Sequence, residues 1–86
     1  MYKIILHKHV IKFYKKAVRD RQDRIEKAIA DISENPYHGI HIKKLQGELS
    51  TMYRYRIGGV RILYEIHEEI KTVRIKVIES RGQVYK

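Results

Sequence analysis

From Tyr53 to Ile66 the chain reads YRYRIGGVRILYEI, an alternation of apolar and charged positions broken by a glycine pair at 58 and 59. Alternation with a period of two belongs to strands with one buried face, and two glycines suit the positive φ angles of a two-residue hairpin turn. The pattern predicts a central hairpin in which Tyr53 faces Tyr64, Arg54 faces Leu63, Tyr55 faces Ile62, Arg56 faces Arg61 and Ile57 faces Val60. Tyr53, Tyr55, Ile57, Val60, Ile62, Tyr64 and Ile66 then share an apolar face, and Arg54, Arg56 and Arg61 gather on the other.

Elsewhere the period changes. Tyr2 to Leu6 is short and β-prone, which predicts a first strand. Val10, Phe13, Tyr14, Ala17 and Val18 then recur at helical spacing, and Ile25, Ala28, Ile29 and Ile32 repeat it until Asn35-Pro36 ends the segment. One continuous helix of about 27 residues would run about 40 Å, too long for a domain whose radius of gyration should be about 12 Å. The two stripes therefore predict an αα-hairpin bent between Val18 and Asp20, with Asp20 as the cap of the second helix. After the loop at Tyr37 to Ile40 come Ile42-Lys43-Lys44-Leu45, the turn at Gly47 and the hairpin. A last strand, Thr72 to Glu79, should place Val73, Ile75 and Val77 on one face and Arg74 and Lys76 on the other. The predicted class is α+β: an N-terminal strand, an αα-hairpin, then three or four antiparallel strands, with the helices on one sheet face and a basic face left open.

Charge sharpens the interest of that open face. The 86 residues carry 19 Lys and Arg against 10 Asp and Glu, a formal net charge of +9, spread over both halves of the chain. A domain this basic throughout points to a polyanion or an acidic protein partner. The length suits a single domain over residues 1–86. Cysteine is absent, which excludes disulfides, Cys-ligated zinc and a thiol nucleophile. MYKIILHKHV lacks the apolar run of an export signal, and no apolar stretch reaches membrane-spanning length, so a cytoplasmic location without membrane contact is expected.

Common catalytic constellations do not fit. His7 with His9, and His38 with His41, match no zinc-ligand spacing, and Ser33, Ser50 and Ser80 lie in no nucleophile elbow. No phosphate-binding glycine loop or dinucleotide fingerprint occurs, so neither metal nor cofactor is expected. Arg and Tyr remain. Setting Arg56 against Arg61 opposes folding by up to about 1 kcal/mol, and a bound phosphate would supply the reason, since the guanidinium fork bonds two phosphate oxygens at once. A solvated, aggregation-resistant strand face accounts for the same residues. Both readings stand on composition and spacing alone.

KKLQGELSTMYRYRIGGVRILYEI together with the terminal VIESRGQVYK resembles the RelE branch of the RelE/ParE toxin superfamily. The resemblance extends to the β-α-α order and the Glu-Asn-Pro after the second helix. It implies the toxin half of a toxin–antitoxin pair, which enters the ribosomal A site, cuts mRNA there and is silenced by a cognate acidic antitoxin. Carried over by position, it implies catalytic roles for Arg61, Arg81 and Tyr85, and RNA or phosphate binding by Arg54 and Arg56, with Lys43, Lys44 and Lys76 as further basic contacts. The Gly58-Gly59 turn is shorter than in the best-known member, and Ser80 stands where many relatives have His. The implied reaction is attack of a ribose 2′-OH on the adjacent phosphate with expulsion of the 5′-oxygen. Tyr85 would be the base, activated by nearby guanidinium groups, and Arg81 would stand at the leaving oxygen. Glu48 is the reserve base. The alternative within the superfamily is a non-catalytic ParE-like inhibitor of DNA gyrase.

Overall fold

Alternate residues of a short strand, β1 (Lys3–Leu6), are half-buried, and the chain then turns straight into helix α1 (Lys8–Lys16). The computed structural model describes residues 1–47 and 51–80. His7 caps α1, its ring accepting the His9 N–H at 3.2 Å. Helix α1 stops at Lys16, and α2 runs from Arg19 to Glu34. The break lies where the length of the combined segment predicts it, but its chemistry differs. The cap of α2 is Val18, in extended conformation and without a side-chain hydrogen bond, and Asp20 sits in the first turn. There its carboxylate faces the positive end of the helix dipole instead of capping it. Gln22 closes the elbow by donating from Nε2 to the Tyr14 carbonyl at 2.9 Å. Because the chain is already extended at residue 18, Val18 leaves the apolar stripe and is 67% exposed.

Four strands follow: β2 (Ile42–Lys44), β3 (Met52–Ile57), β4 (Val60–His67) and β5 (Thr72–Ser80), the last two joined by a 3-10 turn at Glu68–Ile70. The sheet order is β1-β5-β4-β3-β2. Strands β2 to β5 pair antiparallel, and β1 lies parallel to β5 at the edge. The central hairpin has the register that its alternation predicts, from Tyr53 opposite Tyr64 to Ile57 opposite Val60. Of its two glycines, Gly58 alone has a positive φ, 56°. A positive angle confined to the first central residue is the mark of a type II′ turn. A Cβ at Gly58 would also sit 3.3 Å from Arg24 Nε, so α2 leans on the turn.

Strand β5 departs from strict alternation. Leu63 pairs with Val77 but Tyr64 pairs with Ile75, which leaves Lys76 as one extra residue. Such a bulge shifts every later side chain to the other face. Ile78 and Ser80 are therefore buried, whereas Val77, predicted to share the face of Val73 and Ile75, turns to the open side. His9 Nε2 lies 2.7 Å from the Lys76 carbonyl, which engages a backbone acceptor just past the end of β1.

The core lies between this sheet and both helices. Val10 from α1 and Ile25, Ala28 and Ile32 from α2 pack on Tyr55, Val60, Ile62, Tyr64, Val73, Ile75 and Ile78. Both core tyrosines keep their hydroxyls satisfied, Tyr55 on Asp31 Oδ2 at 2.5 Å and Tyr64 on the Pro36 carbonyl at 2.7 Å. Tyr64 stacks on Tyr53, which meets Tyr37 edge-on, which in turn meets Tyr2. At the end of this ladder, Glu68 accepts hydrogen bonds from Tyr2 and Tyr37, each at 2.7 Å, and from Lys71 at 2.6 Å. Lys71 first, then the two phenols, hold the Glu68 carboxyl at about 2, against an ordinary 4.5. A depressed carboxyl stabilises the fold above its unfolded value and loses that contribution as the pH falls towards its folded one. The melting temperature should therefore drop between about pH 4.5 and 2, and Glu68→Gln should flatten part of that drop in a series of thermal melts. Among the described residues, no helix is long and apolar enough to cross a membrane.

Candidate nucleic-acid interface

The sheet face away from the helices is organised in three cross-strand rows. Nearest the Gly58 turn stand Arg56, Arg61 and Glu79; next come Lys43, Arg54, Leu63 and Val77; farthest away are Met52, Glu65 and Arg74. Residues directly opposite on antiparallel strands have Cβ atoms about 5 Å apart. Three arginines and a lysine thus stand within one or two side-chain widths of each other. The far row is balanced differently, because Glu65 lies 3.6 Å from Lys76 Nζ and 3.4 Å from His67 Nε2. Counting Glu79 with Arg56 and Arg61, and Lys76 with Glu65 and Arg74, each outer row carries a net positive charge of one, and the middle row, with Lys43 and Arg54, carries two.

A cleft of about 190 Å³ opens there, lined by Arg56, Gly58, Gly59, Val60, Arg61, Glu79 and Ser80. Arg56 is exposed, and Arg61 contacts Glu79 through Nη2 and Oε1 at 2.5 Å. Arg54 is half-buried, and its Nε is shielded from water without a hydrogen-bond partner among the described residues. A buried donor left unmet costs about 1 to 3 kcal/mol.

Of the residues expected at a site, the structure brings together Arg54, Arg56, Arg61 and Lys43. Lys44 pairs with Tyr53 and so stands on the opposite face, and Lys76 occupies the bulge at the Glu65 end. Arg81, Tyr85 and Glu48 lie outside the described residues. Glu79 was not foreseen. Strict alternation through β5 predicts Arg74 and Lys76 on the face opposite Val73, and the bulge reverses that order before residue 79. Several tyrosines are poorly suited to proton abstraction. Burial pushes the Tyr55 and Tyr64 phenols up, and the hydrogen bond to Glu68 raises Tyr37 to about 12. Among the described residues, no three His, Asp or Glu side chains converge as a metal site requires.

The facing arginines make a stability prediction with a direction for each residue. Arg56→Ala removes like-charge repulsion and should leave stability unchanged or slightly raised. Arg61→Ala also strands Glu79, and as the pair is about half exposed, a loss of no more than about 1 kcal/mol is expected. Urea denaturation of both variants checks the difference in sign.

This architecture, a helix pair on one sheet face and arginines on the other, is matched by a family of small toxins. The family of ParE toxins of type II toxin–antitoxin systems, parDE, matches residues 4–85, and the chain belongs to it, within the RelE/ParE superfamily. Its fold is RelE-like. The RelE–RelB complex of Pyrococcus horikoshii OT3 is 23% identical over 95% of this chain and 97% of that one, with a TM-score of 0.80. The toxin–antitoxin complex RelBE2 of Mycobacterium tuberculosis is 28% identical over 93% and 98%, at 0.78. The isolated RelE toxin of E. coli is 20% identical over 99% and 92%, at 0.79. No curated protein sequence matches the chain.

Proposed function

We propose that this toxin is a ribosome-dependent endonuclease that cuts mRNA in the ribosomal A site without a metal or cofactor. The observation that carries the reading is the row of Arg56 and Arg61 beside Arg54 and Lys43, with one carboxylate, Glu79, among them. A single strand of mRNA laid on this face meets guanidinium groups that fix its phosphates in register. The 2′-OH of one nucleotide then attacks the neighbouring phosphorus in line, forming the new P–O bond as the bond to the 5′-oxygen breaks. Arg61 neutralises charge building on the non-bridging oxygens. Tyr85, as the phenolate, takes the 2′-OH proton, and the departing 5′-oxygen, stabilised by Arg81, takes a proton from solvent, leaving a 2′,3′-cyclic phosphate and a 5′-hydroxyl.

Placing the reaction on the ribosome supplies what a shallow, open face lacks. On this reading the ribosome would hold the mRNA in place, and the toxin would add charge and a base. A cognate acidic antitoxin is the expected silencer, since a net charge of +9 invites a chain that folds across the basic surface. A second reading, a non-catalytic inhibitor of DNA gyrase, is favoured by the ParE description of the matching family. The deciding experiment adds purified protein to programmed ribosomes and, separately, to gyrase with supercoiled DNA. Codon-aligned cuts in the first assay and untouched supercoiling in the second are expected. The reverse pattern would replace the nuclease reading by the gyrase one.

A further inference from the structure

We infer that Glu79 is an internal competitor for the phosphate that Arg61 binds, and that it sets how tightly and how selectively the open face holds polyanions. The inference rests on the proposed phosphate-binding role of this face and extends it to a residue that the resemblance does not single out. Glu79 stands directly across the β4–β5 ladder from Arg61, as Arg56 stands across the β3–β4 ladder from the same residue. Its Oε1 lies 2.5 Å from Arg61 Nη2. A guanidinium N–H bonds the anionic oxygens of carboxylates and phosphates alike, so the carboxylate in contact with Arg61 occupies the kind of position that a phosphate oxygen would take. In the free protein, Arg61 is already answered from within.

Exchange is feasible because both side chains of the pair are about half exposed, 46% for Arg61 and 50% for Glu79. It is also selective. Glu79 is held through one guanidinium nitrogen, whereas a phosphate over the cleft meets Arg56 and Arg61 together and continues along its strand towards Arg54 and Lys43. Once displaced, Glu79 remains beside the incoming phosphate and repels it. A polyphosphate strand anchored also in the neighbouring row, at Arg54 and Lys43, has more contacts with which to offset that repulsion than an isolated anion has. Glu79 acts through Arg61 and takes no part in bond making.

The test is the binding of a fluorescently labelled single-stranded RNA, read by anisotropy at fixed salt, to four forms of the full chain: wild type, Glu79→Gln, Arg61→Ala and the double variant. Glu79→Gln keeps shape and removes charge, and should bind about tenfold tighter than wild type. In the Arg61→Ala background the same substitution should yield no more than about threefold, the general effect of one exposed charge. That loss of the gain separates competition for Arg61 from a general field effect. Glu79→Ala serves as a second variant with the same expectation. Equal or weaker RNA binding by both Glu79 variants overturns the inference and makes Glu79 a support for Arg61. A gain of equal size with and without Arg61 also overturns it. If none of the proteins binds RNA, the phosphate-binding reading of the face falls, and this inference falls with it.

Discussion

Tyr85→Phe should slow mRNA cleavage on programmed ribosomes by about 10²- to 10⁴-fold in single turnover while leaving ribosome binding intact. The substitution removes one phenolic oxygen, so its effect isolates proton abstraction. The wild-type rate should climb with pH as the phenol ionises, and that arm should be missing in the Phe variant. Arg61→Ala is expected to differ in kind, weakening binding and chemistry together, because a guanidinium that holds a phosphate, the role proposed for Arg61, acts in both ground and transition states. Arg81→Ala combined with Tyr85→Phe should cost less than the two single losses multiplied, as for residues that work as a unit. An unimpaired Tyr85→Phe protein would remove Tyr85 from the mechanism and send the search for the base to Glu48.

Tyr64→Ala should remove a large part of the folding stability. Tyr64 is fully buried, stacks on Tyr53 and donates to the Pro36 carbonyl at 2.7 Å. Truncating a buried aromatic to Ala costs about 3 to 5 kcal/mol, a large part of the roughly 5 to 15 kcal/mol that holds a domain together. Tyr64→Phe keeps the ring and loses the hydroxyl, stranding a buried carbonyl for about 1 to 3 kcal/mol. Urea titration at constant slope gives both values. A small loss in the Ala variant would mean that α2 settles into the vacated volume.

What the chain reveals by itself follows the range of the interactions involved. The register of the central hairpin is legible because two glycines fix the loop length and four of five consecutive cross-strand pairs, all but Arg54 with Leu63, agree in chemistry. The helix break near Val18 is legible from length, but its capping is not, since Val18 caps α2 by backbone conformation alone. The parallel edge pairing of β1 with β5 joins residues some 70 positions apart, and nothing in Lys3–Leu6 specifies it. The bulge at Lys76 is hidden for the same reason: it is a property of the ladder between two strands and leaves no mark in the composition of either. On that one residue depends the face on which Glu79 stands, so the basic half of the candidate site is legible in the sequence and its acidic member is not.

The tyrosine ladder gives the molecule its own optical signature. The chain has no tryptophan and one phenylalanine against seven tyrosines, so its near-ultraviolet spectrum belongs almost wholly to phenols. Four of them, Tyr2, Tyr37, Tyr53 and Tyr64, come from separate parts of the chain and meet with ring centroids 5.7 to 6.4 Å apart. Rings held in fixed asymmetric contact give a near-ultraviolet dichroic band that disappears when side-chain packing loosens, even where backbone structure persists. Without any label or substitution, that band distinguishes a tightly packed toxin from an expanded one, and any chain that folds across the Tyr2 and Tyr37 end will register in it.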